Sequence, residues 1–399
     1  MKTDRKINRI LAKDSSTVVP VIIVLKDNAT SCKMSDYCRL RPQDHSGYSL
    51  HSLKMMTGRC CRTTIADLQR HQQIQYISFD HSVHAHLNRA TPAIGAQEAH
   101  REHVITGKSI GIAVLDTGVH PHPDLTTPRN RLVAFKDFIN NRVQAYDDHG
   151  HGTHVAGCAS GNGISSRGTY QGAAPDANII GVKVLNEQGS GNMSNVIAGI
   201  NWAIENGERY QIKIINLSLG TNPTTSYRND PLARACRRAW RKGIVVVASA
   251  GNSGPNGTIV TPGIEPSIIT VGASDNSSTN IRNQKLANFS SRPPTVDALI
   301  KPDIIVPGKD IISAIAPHST LSNRSASQLI SNNYLPLSGT SMSAGICSGA
   351  IALLQEVYPS LTPEAIKTLL KEASYYFSSS NSGLLEINQV LELARFKFD

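Results

Sequence analysis

Three stretches of the 399-residue sequence place reactive side chains where an acyl group could be attacked. In LSGTSMSAGIC, residues 337–347, three serines are crowded ahead of a run of small residues. A serine hydroxyl is a poor nucleophile at neutral pH, and needs a base oriented by a carboxylate together with donors for the oxyanion. Gly339 lets the backbone approach a substrate. Ser341 then falls at the mouth of the helix predicted through SAGICSGAIALLQEVY, where unpaired backbone N–H groups point outward. Taken alone, the same stretch reads equally as a Ser/Thr cap on a buried helix.

The second stretch, DDHGHGTHVAGCASG (147–161), brackets His151 with Gly150 and Gly152 and continues in small residues on a helix. Backbones can pack closely there, and an imidazole can sit at the helix start. The competing reading is a metal site, with His151 and His154 on one helix face and Asp147, Asp148, His120 and His122 as further ligands. Helical zinc proteases, however, space their histidines four apart around a Glu. The third piece is Asp116, which ends an apolar run and is followed by Thr-Gly. Such a sequence is also common as plain turn chemistry.

The elements that must position these residues follow from the pattern between about 108 and 275. SIGIAVLD (109–116), NIIGVKVL (178–185), IKIINLSLG (212–220), GIVVVASAGN (243–252) and SIITVGA (267–273) are rich in Ile and Val without clean alternation. Strands buried on both faces have this character, so the sheet is predicted to be parallel. MSNVIAGINWAIENG (193–207) and DPLARACRRAWRKG (230–243) carry apolar residues at helical spacing, begin at Ser194 and Asp230 and end in Gly, which predicts capped helices. Strand and helix in alternation give a doubly wound α/β domain whose ligands gather beyond the carboxyl ends of the strands.

Residues 1–90 differ. VVPVIIVLKD (18–27) and IQYISFD (74–80) read as strands and residues 49–71 as mostly helical, which predicts a small α+β unit. HLNRATPAIGA (86–96) reads as the connection to a second domain, 91–399. The formal charge of +10 divides unevenly. Residues 1–90 hold 14 Lys/Arg against 7 Asp/Glu, a net +7, and the remainder holds 26 against 23, a net +3. Without a basic run or interleaved aromatics, this excess is assigned to a solvated face rather than to nucleic acid.

No stretch approaches the roughly 18 uninterrupted apolar residues of a membrane span, and the first residues lack the apolar core of a secretory signal. The expectation is a cytoplasmic protein, with a non-standard route of release left open. The seven cysteines are an odd set. Cys158, Cys236 and Cys347 fall on predicted helices, which favours reduced thiols over a disulfide scaffold. The early four, Cys32, Cys38, Cys60 and Cys61, include no CxxC pair that would mark zinc.

VLDTGVHPHPDL, HGHGTHVAG and SGTSMSAG, in the order Asp, His, Ser, together resemble the subtilase family of serine endopeptidases. The resemblance extends over roughly 90–390 through GAAPDANIIGVKVL, NLSLG, ASAGNSGP, TPG, FSSRPPT and KPDIIVPG, and details such as RATPAIGAQ are similar to the AprX-like intracellular subtilisins of bacilli. It implies that Ser341 is the nucleophile, His151 the general base and later acid, and Asp116 the carboxylate that fixes the imidazole. Asn252 would donate its side-chain amide to the oxyanion beside the Ser341 N–H. Ser338, Ser343 and His154 are left as structural residues.

The resemblance also implies a substrate site. Ser218, Leu219 and Gly220 would offer a strand edge to an extended peptide. The same segment would wall the pocket for the residue before the cut, together with Ser249, Ala250, Gly251, Asn252 and Val260, and Val260 would favour a hydrophobic or medium-sized side chain. The substrates would be proteins or peptides, taken with broad specificity. Residues 1–90 would be an inhibitory propeptide, with autocleavage between 80 and 92. No cofactor is needed for catalysis, no metal ligands are assigned, and no acidic loop compels the structural calcium common in the family. Two departures stand out. Most relatives have proline at Gly345, in the first turn of the nucleophile helix, and glycine at Pro293. Glycine at 345 should cost about 1 kcal/mol of local order. The alternative allowed by the same motifs is a catalytically impaired subtilase that binds peptides.

Overall fold

A computed structural model of the chain describes residues 3–14, 17–80, 82–85, 94–256, 258–275, 284–376 and 382–399. The N-terminal unit runs α1 (Arg5–Lys13), β1 (Val19–Leu25), β2 (His45–Leu50), β3 (Met55–Cys60), α2 (Arg62–Arg70) and β4 (Ile74–Phe79). Its strands form an antiparallel sheet in the order β2-β3-β1-β4. Alternate residues of a strand face opposite sides. In β1, Val21, Ile23 and Leu25 enter the unit's own core with Ile7, Leu11, Ile65 and Leu68. Ile22 and Val24 join Leu50, Leu53 and Met55 in the core shared with the rest of the protein. Both faces of β1 are covered, which is why its sequence is apolar throughout.

The reading of 49–71 as mostly helical is wrong in its first half, because Met55–Cys60 is a strand paired residue for residue with β1, from Met55↔Val24 to Cys60↔Val19. Helix-favouring Leu, Lys and Met are overridden there by a central place in a sheet. The strand β5 (Ser82–Ala85) leaves this unit. Most of the connection expected over 86–96, residues 86–93, lies outside the described residues.

The larger unit contains β6 (Gly111–Asp116), β7 (Leu132–Asp137), β8 (Asn178–Lys183), β9 (Ser190–Asn192), β10 (Ile212–Leu217), β11 (Leu219–Gly220), β12 (Val245–Ser249), β13 (Ile269–Ser274), β14 (Ile304–Pro307), β15 (Ile311–Ala314), β16 (Tyr334–Leu337), β17 (Tyr375–Tyr376) and β18 (Gly383–Leu384). Its helices are α3 (Ala96–Glu102), α4 (Pro123–Thr126), α5 (His151–Ser160), α6 (Met193–Glu205), α7 (Pro231–Arg241), α8 (Thr320–Arg324), α9 (Thr340–Val357), α10 (Pro363–Glu372) and α11 (Ile387–Phe398). Among the described residues the main sheet has the order β17-β18-β14-β13-β12-β10-β6-β8-β7. It is parallel except for the β17–β18 pair. This is the doubly wound α/β arrangement that the Ile/Val runs predicted. The chain leaves β6 for β8 and β7 on one side and returns to β10 on the other, so the direction of winding reverses at β6. Open α/β sheets form their binding crevice at such a reversal, and β6 ends in Asp116.

Asp230 caps α7 as expected, its Oδ1 accepting from Ala233 N at 2.8 Å. Ser194 does not cap α6. The Ser194 N–H is met instead by Asp80 Oδ1 of the N-terminal unit at 2.8 Å. All seven cysteines are free thiols. No helix among the described residues is long and apolar enough to cross a membrane.

Candidate active site

The site forms where the carboxyl end of β6 meets the first turns of α5 and α9. Asp116 is fully buried, and its Oδ1 accepts from the Thr117 N–H at 2.7 Å and from His151 Nδ1 at 2.7 Å. A carboxylate can only accept, so His151 carries its proton on Nδ1 and presents Nε2 as the basic nitrogen. His151 is the first residue of α5, after Gly150 at φ 102°. A β-carbon at Gly152 would run into the Gly118 carbonyl oxygen. Glycine at 152 therefore permits the close approach of the helix to the turn after β6.

The loop before α5 is held by Asp147. This buried carboxylate accepts from Thr117 Oγ1 at 2.8 Å, Gly150 N at 2.8 Å, Thr153 N at 2.9 Å and Thr153 Oγ1 at 2.6 Å. Lys183 extends the scaffold, donating to the Thr117 carbonyl and to Asp148, each at 2.6 Å. Asp147 and Asp148 thus serve as scaffold here, where their spacing in the sequence suggested only metal ligands. The histidines offered with them are engaged elsewhere: His154 Nε2 donates to the Leu335 carbonyl at 2.9 Å and His122 Nε2 to the Asn333 carbonyl at 3.1 Å. Among the described residues no group of three or more His, Cys, Asp or Glu side chains is arranged to hold a metal ion.

Ser341 is the second residue of α9, behind the extended Gly339, and is fully buried. Its Oγ donates to the Ser218 carbonyl at 3.2 Å, while Ser218 Oγ donates to the Ser341 carbonyl at 2.9 Å. Behind this pair, Asn216 Nδ2 donates to Ser218 Oγ at 2.9 Å and Ser348 Oγ to Asn216 Oδ1 at 3.0 Å. In the sequence, the only local signal of Asn216 is an amide inside an Ile/Leu run. Ser343 Oγ donates to the Val306 carbonyl at 3.0 Å, and Ser338 Oγ accepts from Asp310 N at 3.1 Å. Asn252 lies across the helix mouth, its Oδ1 accepting from both Thr340 N and Thr340 Oγ1 at 3.0 Å. The oxygen end of the amide is thereby committed to Thr340.

The segments expected to wall a substrate pocket converge. Gly220 and Gly251 are both pressed against Val260, whose methyl groups would lie 2.6 Å and 2.8 Å from β-carbons at those positions. Val260 N donates to the Ala250 carbonyl at 3.0 Å, and Ser249 ends β12. Between β9 and β11 runs β5, antiparallel to both, with Ala85 opposite Leu219 and Val83 opposite Gly191.

One neighbour escaped notice in the sequence. His149 is buried with its ring centroid 6.3 Å from that of His151, and its Nδ1 has no hydrogen-bond partner among the described residues. Burial first, and the adjacent His151 second, push its pKa down to about 4. Burial likewise lowers His154 to about 3.

A doubly wound sheet with Asp116 and His151 bonded at its reversal point, and a serine-bearing helix beside them, defines a hydrolase scaffold of the serine endopeptidase class. Residues 107–390 match the model of the Subtilase family. The serine protease AprX of Bacillus subtilis strain 168 is 42% identical over 329 residues, covering 79% of this chain and 74% of that protein. Subtilisin DY of Bacillus licheniformis is 33% identical, over 70% of this chain and 90% of its own length. In fold, the chain superposes on fervidolysin of Fervidobacterium pennivorans with a TM-score of 0.74 at 22% identity, covering 95% of this chain and 61% of that one. The chain belongs to the subtilase family of serine endopeptidases.

Proposed function

We propose that this protein cleaves peptide bonds through Ser341, His151 and Asp116 and processes its own N-terminal unit. In the proposed reaction His151 Nε2 takes the Ser341 Oγ proton as Oγ attacks the substrate carbonyl. Asp116 holds the imidazole in the required tautomer and stabilises the imidazolium. The Asn252 amide NH2 and the Ser341 N–H receive the oxyanion. Collapse of the tetrahedral intermediate passes the proton from His151 to the leaving amine and leaves an acyl-Ser341, which water then hydrolyses. The protein's own groups supply every role, and no metal or other cofactor enters.

The observation that carries this reading is the position of β5. Residues 82–85 lie as a strand between two edges, 190–192 and 219–220. Leu219, opposite Ala85, is next in sequence to Ser218, whose carbonyl accepts from Ser341 Oγ. An extended polypeptide is bound there by main-chain pairing, which recognises backbone rather than sequence and supports broad specificity. The chain's own N-terminal unit thus serves as an intramolecular inhibitor, and cleavage within 80–92, a stretch that includes residues outside those described, releases it. Val260, pressed against Gly220 and Gly251, narrows the pocket toward hydrophobic or medium-sized side chains.

The test is to treat the purified protein with a fluorophosphonate probe and with casein, beside Ser341→Ala, and to sequence the N-terminus of the matured chain. Labelling and hydrolysis confined to the wild type, with a new N-terminus inside 80–92, is the expected result. Silence from both proteins would replace this reading with that of an impaired, peptide-binding subtilase.

A further inference from the structure

We infer that a small tetrahedral oxyanion, of the phosphate or sulfate class, binds between the N-terminal unit and α7. A cavity of about 160 Å³ lies at this interface. Four arginines of α7, Arg234, Arg237, Arg238 and Arg241, line it from one side and Lys54 from the other, with Asp27 as the acidic residue of the lining. The arginines follow the spacing i, i+3, i+4, i+7, which puts them on one face of the helix.

The cations are unequally satisfied. Arg237 is held by Glu265 at 2.5 Å, and Arg234 donates to the Leu25 carbonyl at 2.9 Å and to Gln75. Asp27 reaches Arg234 only at 3.6 Å and is 91% exposed, so its charge is largely spent on solvent. Lys54 donates to the Ala29 carbonyl at 2.7 Å. Among the described residues Arg238 and Arg241 form no ion pair, and the buried Arg238 Nε finds no hydrogen-bond partner. Burial, together with the neighbouring Arg237, Arg238 and Arg241, lowers the Arg234 pKa despite Asp27.

The cavity is therefore lined by five cations against one carboxylate. The negative end of the α7 dipole favours Arg238 and Arg241 in its last turn. It does not account for Arg234 and Arg237 further up the helix, nor for Lys54 facing them from the other unit. Guanidinium forks match the oxygens of a tetrahedral anion, and an anion in the cavity offsets the surplus of positive charge and bridges α7 to Lys54. The size of the cavity suits a single free ion. Binding would hold the N-terminal unit on the larger one, so the oxyanion level would set how firmly the two stay docked. The inference stands on this interface alone and does not depend on the reaction proposed above.

The experiment uses the full chain carrying Ser341→Ala, which stays whole whether or not the wild type processes itself. Tm is followed as sodium phosphate or sodium sulfate is added, with sodium chloride at matched ionic strength and pH as the control. Phosphate and sulfate are expected to give a saturating rise in Tm that chloride lacks. Adding Arg238→Gln with Arg241→Gln should weaken the apparent affinity about tenfold or more, the loss of one charge-assisted contact or better. Lys54→Gln, on the opposite wall, should weaken it in the same direction. Should the double variant fail to fold, line broadening of the phosphate ³¹P resonance by the Ser341→Ala chain, relieved by sulfate and not by chloride, gives the answer independently. Identical phosphate and chloride curves with no broadening would overturn the inference. So would an unchanged response in folded variants, or a response to phenyl phosphate with none to the inorganic ion.

Discussion

A β-carbon placed on Gly345 would lie 2.9 Å from the Val155 carbonyl oxygen and 3.1 Å from Cys158 Cβ, so α9 and α5 touch at this glycine. The helix that carries Ser341 and the helix that carries His151 are thus fixed against each other about one turn beyond those two residues. Gly345 is not in the first turn as expected, because α9 begins at Thr340. The space that a side chain at 345 would need is taken by α5. Gly345→Ala gains roughly 1 kcal/mol of helix propensity, but overpacking against a backbone oxygen costs about 1–3 kcal/mol. The expected outcome is a net loss of stability in denaturant titration, with kcat falling more than KM changes. A more stable variant with intact kcat would show that the helices have room to separate.

Asp80 supplies the N-terminal cap of α6 from outside the helix, and replacing it removes the partner of a buried N–H. Loss of a cap costs about 0.5–2 kcal/mol. Tyr48 OH to Asn195 Oδ1 at 3.1 Å and Ser52 Oγ to Glu205 at 3.3 Å remain to hold the two units together. Asp80→Ala in the Ser341→Ala chain is therefore expected to lower Tm without undocking the N-terminal unit at room temperature. Limited proteolysis should show faster removal of residues before 80. An unchanged Tm and digestion rate would mean that water replaces the cap without loss.

These two sites mark where sequence reading succeeds and where it stops. The five Ile/Val runs became β6, β8, β10, β12 and β13, because a strand buried on both faces must be apolar along its length. Asp230 was legible as a cap because its target, Ala233 N, is three residues away. The cap of α6 comes from Asp80, 114 residues earlier, and nothing near Ser194 announces it. Asp116 and His151, which the structure brings together, were singled out together only through the family resemblance, since Asp116 alone also reads as turn chemistry, whereas the role of Asp147 depends on five donors converging through the fold. Met55–Cys60 and β5 were missed for one reason: each is a strand only because the edges beside it are already in place.

Acid should destabilise the protein through its buried histidines. His149 has its folded pKa lowered from 6.5 to about 4 by burial and by His151. The unfolded chain therefore binds a proton first as pH falls. The stability of the neutral form is fully present above pH 6.5 and is lost between there and about pH 4. For this one group the loss is on the order of 3 kcal/mol. His149→Asn is expected to flatten the fall in Tm between pH 7 and 4.5. His154, lowered to about 3, remains to cause acid unfolding in that variant. A Tm profile superimposable on the wild type would mean that His149 is accessible to protons in the folded state.

Asn252 and Thr340 make the sharpest test of the proposed oxyanion site. Thr340 engages the amide oxygen of Asn252 through both its N–H and its hydroxyl, so the amide NH2 is the end left for a charge that develops in the transition state. Such a donor stabilises the transition state more than bound substrate, and its removal lowers kcat rather than raising KM. If Asn252 holds the oxyanion as proposed, Asn252→Ala should lower kcat roughly 10²- to 10³-fold, the typical loss for one oxyanion-hole donor. Thr340→Val keeps the N–H contact and removes the hydroxyl that also receives the Gly251 N–H at 3.2 Å. Its effect should be smaller than that of Asn252→Ala and vanish when Asn252 is already alanine, because it acts by holding the amide in place. A double-mutant cycle on kcat measures this directly. Additive losses would show that Thr340 works by some route other than Asn252.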